Sequence, residues 1–417
     1  MKNSIINKLL PLLIFLPSVF FTSCNEETPG KYKMTDGVPV ITYIRYQDKD
    51  RETELLDGAY MGDNIVIIGE NLTSVQEVWF NNVKALLNIN LITNNTLFVT
   101  VPRDLPSERT DKIYFITGKK ETVDYDFEVK IPAPLFARMK CEWVPEGGEV
   151  VVYGDYFLAP DVSLIKVFVG DYQIPTSDIV SYEKTTIVFK SPALDVKGPI
   201  EVKTLYGSTG RSKDIFHDDR GWITGFEDNE NGGTGFVAGW GRPKRIEEDP
   251  VYALMGKYVR FEGELDPAGN PGWVGAYDDM IINIWSHDNS GIPDPMFSSD
   301  PLTSTLKFEI NVLQAWSAAP MIFFFDIGGD EAGWWADGTQ PRAFWVPWLT
   351  SGSYVSEGWE TVSIPLSEFI YNGSGAVVPA SSQFGRLGIG VHNRGMDDYG
   401  GTACSPVILI DNIRVIP

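Results

Sequence analysis

GDNIVIIGENL, residues 62–72, is the stretch that decides the fold, because the chain repeats its pattern as GGEVVVYGDYF at residues 147–157. A glycine starts each copy, and a second glycine follows directly after a run of four apolar residues. Further along, TLFVTVP at 96–102 is matched by TIVFKSP at 186–192. Short apolar runs bounded by turn-forming residues are typical of β-strands. The sequence therefore predicts two copies of one β-rich module, with the glycine pair at tight turns or a bulge around a strand.

Each copy of the module carries several strand signals within about 90 residues, which favours a β-sandwich of immunoglobulin type. VWFN at 78–81 is answered by VFVG at 167–170. With the glycine-bounded strand and the threonine-led strand that ends at proline, this pattern resembles IPT/TIG domains over residues 38–131 and 132–217. Neither copy shows a catalytic constellation. Pro132-Ala133-Pro134 predicts a stiff joint between the copies, as in a spacer that holds the chain away from an anchor.

The start of the chain is typical of an export signal, residues 1–23. Lys2 and Lys8 accompany an apolar run, residues 9–21, that is too short to span a bilayer. Phe21-Thr22-Ser23 before Cys24 resembles a bacterial lipobox, and the acidic residues after it resemble the surface-export signal of Bacteroidetes lipoproteins. The resemblance implies a lipidated Cys24 and a tether over 24–37 that holds the protein at the outer membrane. The alternative is an ordinary exported protein with a chance cysteine.

Bulk composition narrows the class of protein. The formal net charge of −22 over 417 residues argues against a nucleic-acid partner, which needs a basic face. The 40 glycines and 27 prolines, with frequent β-branched and aromatic residues, favour an all-β fold with many turns. The three cysteines form no CxxC, and their spacing suits neither zinc nor a disulfide framework. Cys141 and Cys404 are predicted to be buried small apolar side chains.

The last part of the chain, residues 218–417, differs from the modules because ten of the twelve tryptophans lie in it. Alternating apolar and polar residues predict many strands and no long helix. Many strands in one unit of about 200 residues favour a β-jelly-roll. The predicted strands are Tyr258–Leu265, Ile281–Trp285, Leu306–Val312, Met321–Ile327, Trp359–Pro365, Leu387–His392 and Val407–Ile416.

A long connection between two of these strands holds the sequence GGDEAGWWADGTQPRAFWVPW at 328–348. Large aromatic residues among turn formers, in a connection longer than usual, predict a surface that receives a ligand. An indole covers the apolar face of a sugar ring, and polar side chains bond its hydroxyl rim. We therefore predict a glycan-binding site with stacking residues and hydroxyl partners. Its candidate residues are Trp334, Trp335, Trp345, Trp316, Trp285, Asp330 and Arg342.

The facing of Trp345 stays open at this point. If residues 342–348 form a strand, Trp345 faces opposite to Phe344, Val346 and Trp348. Trp345 then lines the groove while the others pack inward, or the reverse holds. For Trp348 itself, as for Trp222, Trp240 and Trp359, we expect packing between sheets rather than contact with a ligand.

Three motifs of the C-terminal part, GFE at 225–227, WETVSIPL at 359–366 and ILIDNI at 408–413, resemble carbohydrate-binding jelly rolls. With the lipobox and the tandem IPT/TIG-like units, the whole chain resembles Bacteroidetes surface glycan-binding proteins of the SGBP-B type. The resemblance implies a non-catalytic outer-membrane lipoprotein that binds xyloglucan or another neutral β-glycan and supports a SusC/SusD-like transporter. It also implies a structural Ca²⁺ at Glu227 and Asp411, for which carboxylates and carbonyl oxygens are suitable ligands; a turn capped by Asp411 is the alternative.

Two other functions remain open alternatives. A glycoside hydrolase or lyase would use acidic residues of the 326–337 loop, with Asp326, Asp330 and Glu331 as the first candidates. A jelly roll without a second catalytic domain favours binding over hydrolysis. A surface adhesin would recognise protein through the sandwich array. The concentration of tryptophan in one domain argues against that function.

Overall fold

The structure is a computed structural model and describes residues 37–227, 235–238, 246–265, 281–285, 301–326, 342–371, 377, 386–391 and 400–417. The chain divides into two compact units, Met1–Lys130 and Ile131–Pro417. The prediction of an all-β fold is confirmed, because the regular elements of the described part are strands and short 3-10 turns. The turns are Lys49–Arg51, Leu72–Ser74, Val162–Leu164, Thr176–Asp178, Pro301–Thr303 and Leu366–Glu368.

Among the described residues, no helix has the length and apolar character needed to cross a membrane.

The first unit contains one sandwich, whose two main sheets have the strand orders β1-β3-β7-β6 and β5-β4-β8-β9, while β10 and β2 form a parallel pair. Ile65 and Ile67 of one sheet and Val78 and Phe115 of the other are fully buried between the sheets. The strands are β1 (Val40–Tyr46), β2 (Gly58–Tyr60), β3 (Asn64–Glu70), β4 (Val75–Phe80), β5 (Val83–Lys84), β6 (Leu87–Ile92), β7 (Thr96–Thr100), β8 (Lys112–Thr117), β9 (Thr122–Asp126) and β10 (Glu128–Lys130).

The second sandwich begins the second unit and repeats the first arrangement. Its sheet β11-β12-β16-β15 answers β1-β3-β7-β6, and its other sheet has the order β14-β13-β17-β18, with β19 also paired to β17. The strands are β11 (Leu135–Met139), β12 (Glu149–Asp155), β13 (Lys166–Val169), β14 (Tyr172–Gln173), β15 (Ile179–Glu183), β16 (Thr186–Lys190), β17 (Gly198–Thr204), β18 (Gly207–Ser208) and β19 (Ile215–Phe216).

The repeated glycines have the same two physical roles in both sandwiches. Gly62 and Gly147 both adopt positive φ, +89° and +78°, which suits a glycine in a tight turn. A Cβ on Gly69 or on Gly154 would lie 2.0 Å from a main-chain oxygen of the neighbouring strand, β1 or β11 respectively. The register of both strand pairs shifts beside that glycine. The predicted turns and bulges are therefore confirmed.

The C-terminal sheets complete the second unit. We call β22-β23-β30-β25-β28, with β20 on β30, the back sheet, and β21-β24-β29-β26-β27 the front sheet. The strands are β20 (Trp222–Thr224), β21 (Gly235–Ala238), β22 (Ile246–Glu247), β23 (Tyr258–Glu262), β24 (Ile281–Trp285), β25 (Thr305–Gln314), β26 (Met321–Asp326), β27 (Arg342–Trp345), β28 (Glu360–Pro365), β29 (Arg386–Val391) and β30 (Val407–Ile416).

The core of the C-terminal domain lies between the back and front sheets. Phe308 and Ile310 of the back sheet and Phe323 and Ile389 of the front sheet are fully buried there. Phe308 and Phe323 pack with ring centroids 5.2 Å apart. The seven strands predicted for this part are all present. Because apolar and polar residues alternate along them, their apolar sides face one core. The predicted limits of the tether and of the three domains stay predictions.

Candidate functional site

The outer face of the back sheet is covered by the second sandwich. Lys307, Glu309 and Arg414 alternate with core residues on their strands, yet at most 3% of each is exposed. The main chain of the sandwich contacts β28 directly, because the Thr361 N–H donates to the Lys140 oxygen at 2.9 Å. A polymeric ligand needs an open face or edge. The candidate site is therefore on the front sheet.

Strand pairing divides the residues of the front sheet into two sets. Leu387, Ile389 and Val391 of β29 belong to the buried core. The intervening Gly388 and Gly390 belong to the other set, and Gly390 pairs with Ile322 of β26. Phe344 of β27 pairs in turn with Ile322 and so belongs to the same outer set. Ile322 is only 1% exposed, whereas Phe344 is half-buried. Among the side chains of this face that the structure describes, the accessible aromatic one is therefore on β27, at the edge of the sheet.

The aromatic loop, residues 327–341, is the connection between the antiparallel neighbours β26 and β27. Trp334, Trp335 and Asp330 lie in this loop, outside the described residues. The loop leaves the sheet after Asp326, which pairs with Arg386 of β29.

Trp285 is the last residue of β24 and lies toward the same end of the front sheet. Its neighbour Ile284 pairs with Leu387, which follows Arg386 directly. The backbone therefore brings the end of β24 and both ends of the aromatic loop to one end of the front sheet. Three of the predicted stacking residues, Trp285, Trp334 and Trp335, are thus on elements that meet there.

Arg342 and Phe344 begin the strand that follows the aromatic loop. The Arg342 N–H donates to the Tyr371 oxygen at 2.6 Å, and the Tyr371 N–H donates back at 3.1 Å. The ring of Tyr371 packs against Phe344 with centroids 5.4 Å apart, edge to face. Only 3% of Arg342 is exposed, so its guanidinium does not face solvent as a hydroxyl partner would. This aromatic edge of Phe344 and Tyr371, both half-buried, is instead the accessible surface beside the loop.

Trp316 is in the core, which corrects the prediction that it lies at the rim of the groove. Its side chain is fully buried, and its Nε1 donates to the main-chain oxygens of Ala318 at 2.7 Å and Ala319 at 3.0 Å. A ring enclosed on all sides has no face on which a sugar can stack. The sequence misled because Trp316 follows the end of β25, and residues after strand ends are commonly exposed, whereas here Trp316 pairs with Tyr354.

Trp345 faces the core side, which resolves the alternative that the sequence left open. It packs against the core cluster, with its ring 5.8 Å from Trp316 and 5.8 Å from Tyr354. Its side chain remains half-buried. Trp348, expected in the core, is 2% exposed and donates its Nε1 to the Ala319 oxygen at 3.1 Å. The outer position on β27 belongs to Phe344.

Asp411 lies on β30 of the back sheet. It is fully buried, and its Oδ1 accepts from the Asn412 N–H at 2.7 Å, while its Oδ2 has no hydrogen-bond partner among the described residues. Burial raises the pKa of Asp411 well above its ordinary value, and the negative charges of Glu309 and Glu227 raise it further. The Glu227 Oε1 accepts from the Lys257 N–H at 2.7 Å. A buried carboxylate oxygen without a hydrogen-bond partner, which also feels the negative charge of Glu227, is compatible with a cation ligand.

A metal at this place would need further ligands from outside these two carboxylates. The described part of the chain contains no group of three or more His, Cys, Asp or Glu side chains placed to hold a metal ion. Calcium takes several oxygen ligands, so backbone oxygens and water would have to supply the remainder.

Catalytic carboxylates were expected, under the alternative function, in the 326–337 loop. Asp330 and Glu331 lie outside the described residues. Of the carboxylates whose pKa is raised by burial, Glu309 and Asp411 are enclosed on the back sheet and Glu360 lies on β28. Glu309 is moreover paired with Arg414 at 2.8 Å. None of these three is on the front sheet, where a glycan would be reached.

Comparison with known proteins identifies this architecture. The family model of the surface glycan-binding protein B xyloglucan-binding domain matches residues 216–417. The crystal structure of the surface glycan-binding protein PbSGBP-B from Prevotella bryantii is 30% identical, covers 91% of this chain and 99% of its own, and has a TM-score of 0.62. The chain belongs to the surface glycan-binding protein B family. Glycan binding is the role that this family shares.

Two further relatives are more distant. An SGBP-B from a complex xyloglucan utilization locus in Bacteroides uniformis is 16% identical over 91% of this chain and 99% of its own, with a TM-score of 0.46. An IPT/TIG domain-containing protein of Bacteroides ovatus is 29% identical over 152 residues, which is 35% of this chain. The match spans only 29% of the length of that curated relative.

Sequence reasoning missed the aromatic edge, Phe344 and Tyr371. Phe344 was placed opposite Trp345 with its facing left open and was not named as a site residue, and Tyr371 was not singled out. A signal for Tyr371 was present, since the residues after it are Asn372 and Gly373, a turn pair. An aromatic residue directly before a turn is a candidate for surface exposure. Its closeness to β27 depends on long-range pairing that no local pattern contains.

Proposed function

We propose that the chain is a non-catalytic, surface-exposed lipoprotein that binds a neutral plant β-glycan through the loop end of the front sheet. The observation that carries the proposal is the convergence of β24 with the aromatic loop at that end, opposite a back sheet that the second sandwich covers. The name of the matching family model favours xyloglucan as the ligand. The net charge of −22 favours a neutral polysaccharide over an acidic one, because like charges repel.

Aromatic stacking is the physical basis of this binding. Pyranose rings present an apolar face, and indole rings cover it with large rigid area at a small entropy cost. Trp334 and Trp335, with Trp285, are the proposed stacking residues, and the aromatic edge of Phe344 and Tyr371 extends the platform. Asp330 is a proposed hydroxyl partner. Loss of one stacking indole is expected to weaken binding about 10- to 100-fold, equivalent to roughly 1–3 kcal/mol.

The test uses residues 25–417 and a panel of soluble polysaccharides in affinity electrophoresis and calorimetry. Xyloglucan, mixed-linkage β-glucan and galactomannan are the neutral members, and polygalacturonate is the acidic comparator. Trp334→Ala and Trp335→Ala are each expected to weaken binding with unchanged melting temperature. Trp79→Ala is the matched control, because Trp79 is a half-buried tryptophan of the first sandwich. Equal affinity of the loop variants and the control would reject the site.

The same samples test catalysis. If the protein released reducing ends from a bound polysaccharide, and Asp330→Asn or Glu331→Gln abolished that release, the protein would be a hydrolase rather than a binding protein. Binding without release supports the proposal. A chain that binds none of the polysaccharides would leave a protein-recognising adhesin as the better description.

Anchoring at the outer membrane rests on Cys24. We propose that lipidation of this cysteine holds the protein at the cell surface, where it captures glycan for a SusC/SusD-like transporter. Its place after the short apolar run supports the proposal. Cys24→Ser should move the protein from the membrane fraction to the soluble fraction. It should also abolish cleavage of the protein by protease added to intact cells. Unchanged membrane association would contradict a lipid anchor.

A structural Ca²⁺ at Glu227 and Asp411 is a separate proposal. The unpaired Oδ2 of Asp411 supports it. A bound cation would stabilise the folded state in proportion to its occupancy. The chain should therefore melt at a higher temperature with millimolar Ca²⁺ than after treatment with a chelator, and Asp411→Asn should remove that difference. Identical melting curves in both buffers would reject the cation.

A further inference from the structure

The second sandwich and the back sheet share a cluster of buried charges. Arg414 donates to both Glu309, at 2.8 and 3.0 Å, and Glu142, at 2.8 Å. Lys307 donates to Glu142 and, at 2.8 Å, to Asp214. Four of these five side chains are at most 5% exposed, and Asp214 is 42% exposed at the boundary.

The cations of this cluster find enough carboxylate partners only when both parts are present. Lys307, Glu309 and Arg414 belong to the back sheet, which by itself would bury two cations with one carboxylate. Glu142 and Asp214 belong to the second sandwich and supply the missing negative charge. A buried charge that loses its partner is costly, because the interior does not solvate it as water does. Without the sandwich, Lys307 would lose both of its carboxylate partners, and Arg414 would keep only Glu309.

Main-chain and hydroxyl contacts extend this cluster. The Glu142 N–H donates to Thr361 Oγ1 at 2.7 Å, and Thr361 Oγ1 donates to Glu309 Oε1 at 2.8 Å. One hydroxyl of the back sheet thus joins the backbone of the sandwich to the carboxylate of the ion cluster. This chain of hydrogen bonds fixes the register of the two parts as well as their charges.

Apolar packing continues across the same boundary. The rings of Trp143 and Trp222 lie 5.2 Å apart, and the Trp143 Nε1 donates to the Asp218 oxygen at 3.2 Å. The core cluster of the second sandwich includes Leu254 and takes in Trp359 at its margin, and both belong to the C-terminal part. One apolar core therefore runs from the sandwich into the residues that cover the back sheet.

The chain passes between the two parts at His217, which is itself fully buried. Its main-chain N–H donates to the Glu142 oxygen at 2.8 Å. Its ring nitrogens lie 3.1 Å from the Val196 oxygen and 2.9 Å from the Val144 oxygen. A linker held in this way lacks the freedom that a spacer joint needs.

We infer that the second sandwich is permanently docked on the glycan-binding domain, so that the two fold and unfold as one cooperative unit. Their coupling depends on Glu142. The sandwich therefore supports the front-sheet site by holding the back sheet in place, rather than by separating that site from the anchor. Its partner surface is the outer face of the back sheet, whose Lys307 and Arg414 pair with carboxylates of the sandwich. This inference does not depend on which ligand the front sheet binds.

The test follows unfolding in urea with one probe for each part. Residues 25–417 with Cys404→Ser retain Cys141 as their only thiol, and Cys141 is buried in the second sandwich. Its reaction with a thiol reagent reports on the sandwich. Tryptophan fluorescence reports mainly on the C-terminal part, which holds ten of the twelve tryptophans. Coincident midpoints of the two probes are expected for the parent protein.

Two substitutions then test the coupling in both directions. Glu142→Gln, made in the sandwich, should lower both midpoints together by about 1 M urea, as expected for a broken buried pair. Thr361→Val is a milder change in the back sheet and should also lower the Cys141 midpoint. Glu149→Gln is the control, because Glu149 pairs with Lys190 at 3.2 Å on the exposed side of the same sandwich.

The outcomes are distinct. Parallel shifts of both probes in both variants, with no shift in the control, support the single unit. Separate midpoints in the parent protein would overturn it. A shift confined to the mutated part, so that Glu142→Gln moves only the Cys141 probe and Thr361→Val only the fluorescence, would overturn it as well.

Discussion

Replacement of Trp316 by alanine should damage stability and leave glycan binding intact. Trp316 is fully buried, and its Nε1 bonds two carbonyl oxygens at 2.7 and 3.0 Å. Truncation of a buried tryptophan to alanine costs about 3–5 kcal/mol. The Ala318 oxygen also loses the Trp316 donor, whereas the Ala319 oxygen keeps the Trp348 Nε1. For a unit of this size the melting temperature should fall by about 10 °C. Affinity for xyloglucan, measured on the folded fraction well below that temperature, should stay within about twofold of the parent value, less than 0.5 kcal/mol.

The loop variant Trp335→Ala is the counterpart, with the opposite pattern of effects. It should keep the parent melting temperature and lose affinity. Differential scanning calorimetry and affinity electrophoresis on the same protein samples separate the two properties. If Trp316→Ala melted like the parent and bound xyloglucan weakly, Trp316 would be a ligand contact, and the reasoning from its burial would be refuted.

Three further predictions concern buried polar groups. Arg414→Met should cost about 3–5 kcal/mol of unfolding free energy in chemical denaturation, because Glu309 and Glu142 lose their shared partner. Since burial raises the pKa of Asp411, its contribution to stability is present below about pH 4 and is lost as pH rises. In calcium-free buffer Asp411→Asn should therefore unfold at higher urea than the parent at pH 7, with the difference vanishing in acid. Burial lowers the pKa of His217 from 6.5, so unfolding free energy should fall as pH drops below that value, and His217→Gln should flatten this slope.

The coupling of the second sandwich to the back sheet changes how the chain can present its site. A row of independent sandwiches would place three flexible joints between anchor and ligand. A sandwich fused to the glycan-binding domain leaves that domain with a rigid support of its own. Because a binding surface held in one conformation loses less entropy on association, such support favours binding of a long, flexible polymer.

Local sequence determined the strands and the repeat. Alternation of apolar residues depends only on neighbours along the chain, so all seven C-terminal strands could be predicted. The glycine pair could also be predicted from the sequence. Gly62 and Gly147 are required by their positive φ angles, and Gly69 and Gly154 by the close approach of one adjacent strand. These are short-range requirements, and a sequence states them directly.

Only the tertiary structure decided which aromatic residues lie inside and which charges meet. Trp316 and Phe344 have similar local surroundings, yet the packing of two sheets buries the first and places the second at an edge. Arg414 and Glu142 are 272 residues apart in sequence and 2.8 Å apart in the fold. Burial and charge pairing depend on every element that packs around a side chain, and no local pattern contains those elements. The sequence by itself therefore pointed to the aromatic loop, and the structure decided which sheet holds it and what covers the other.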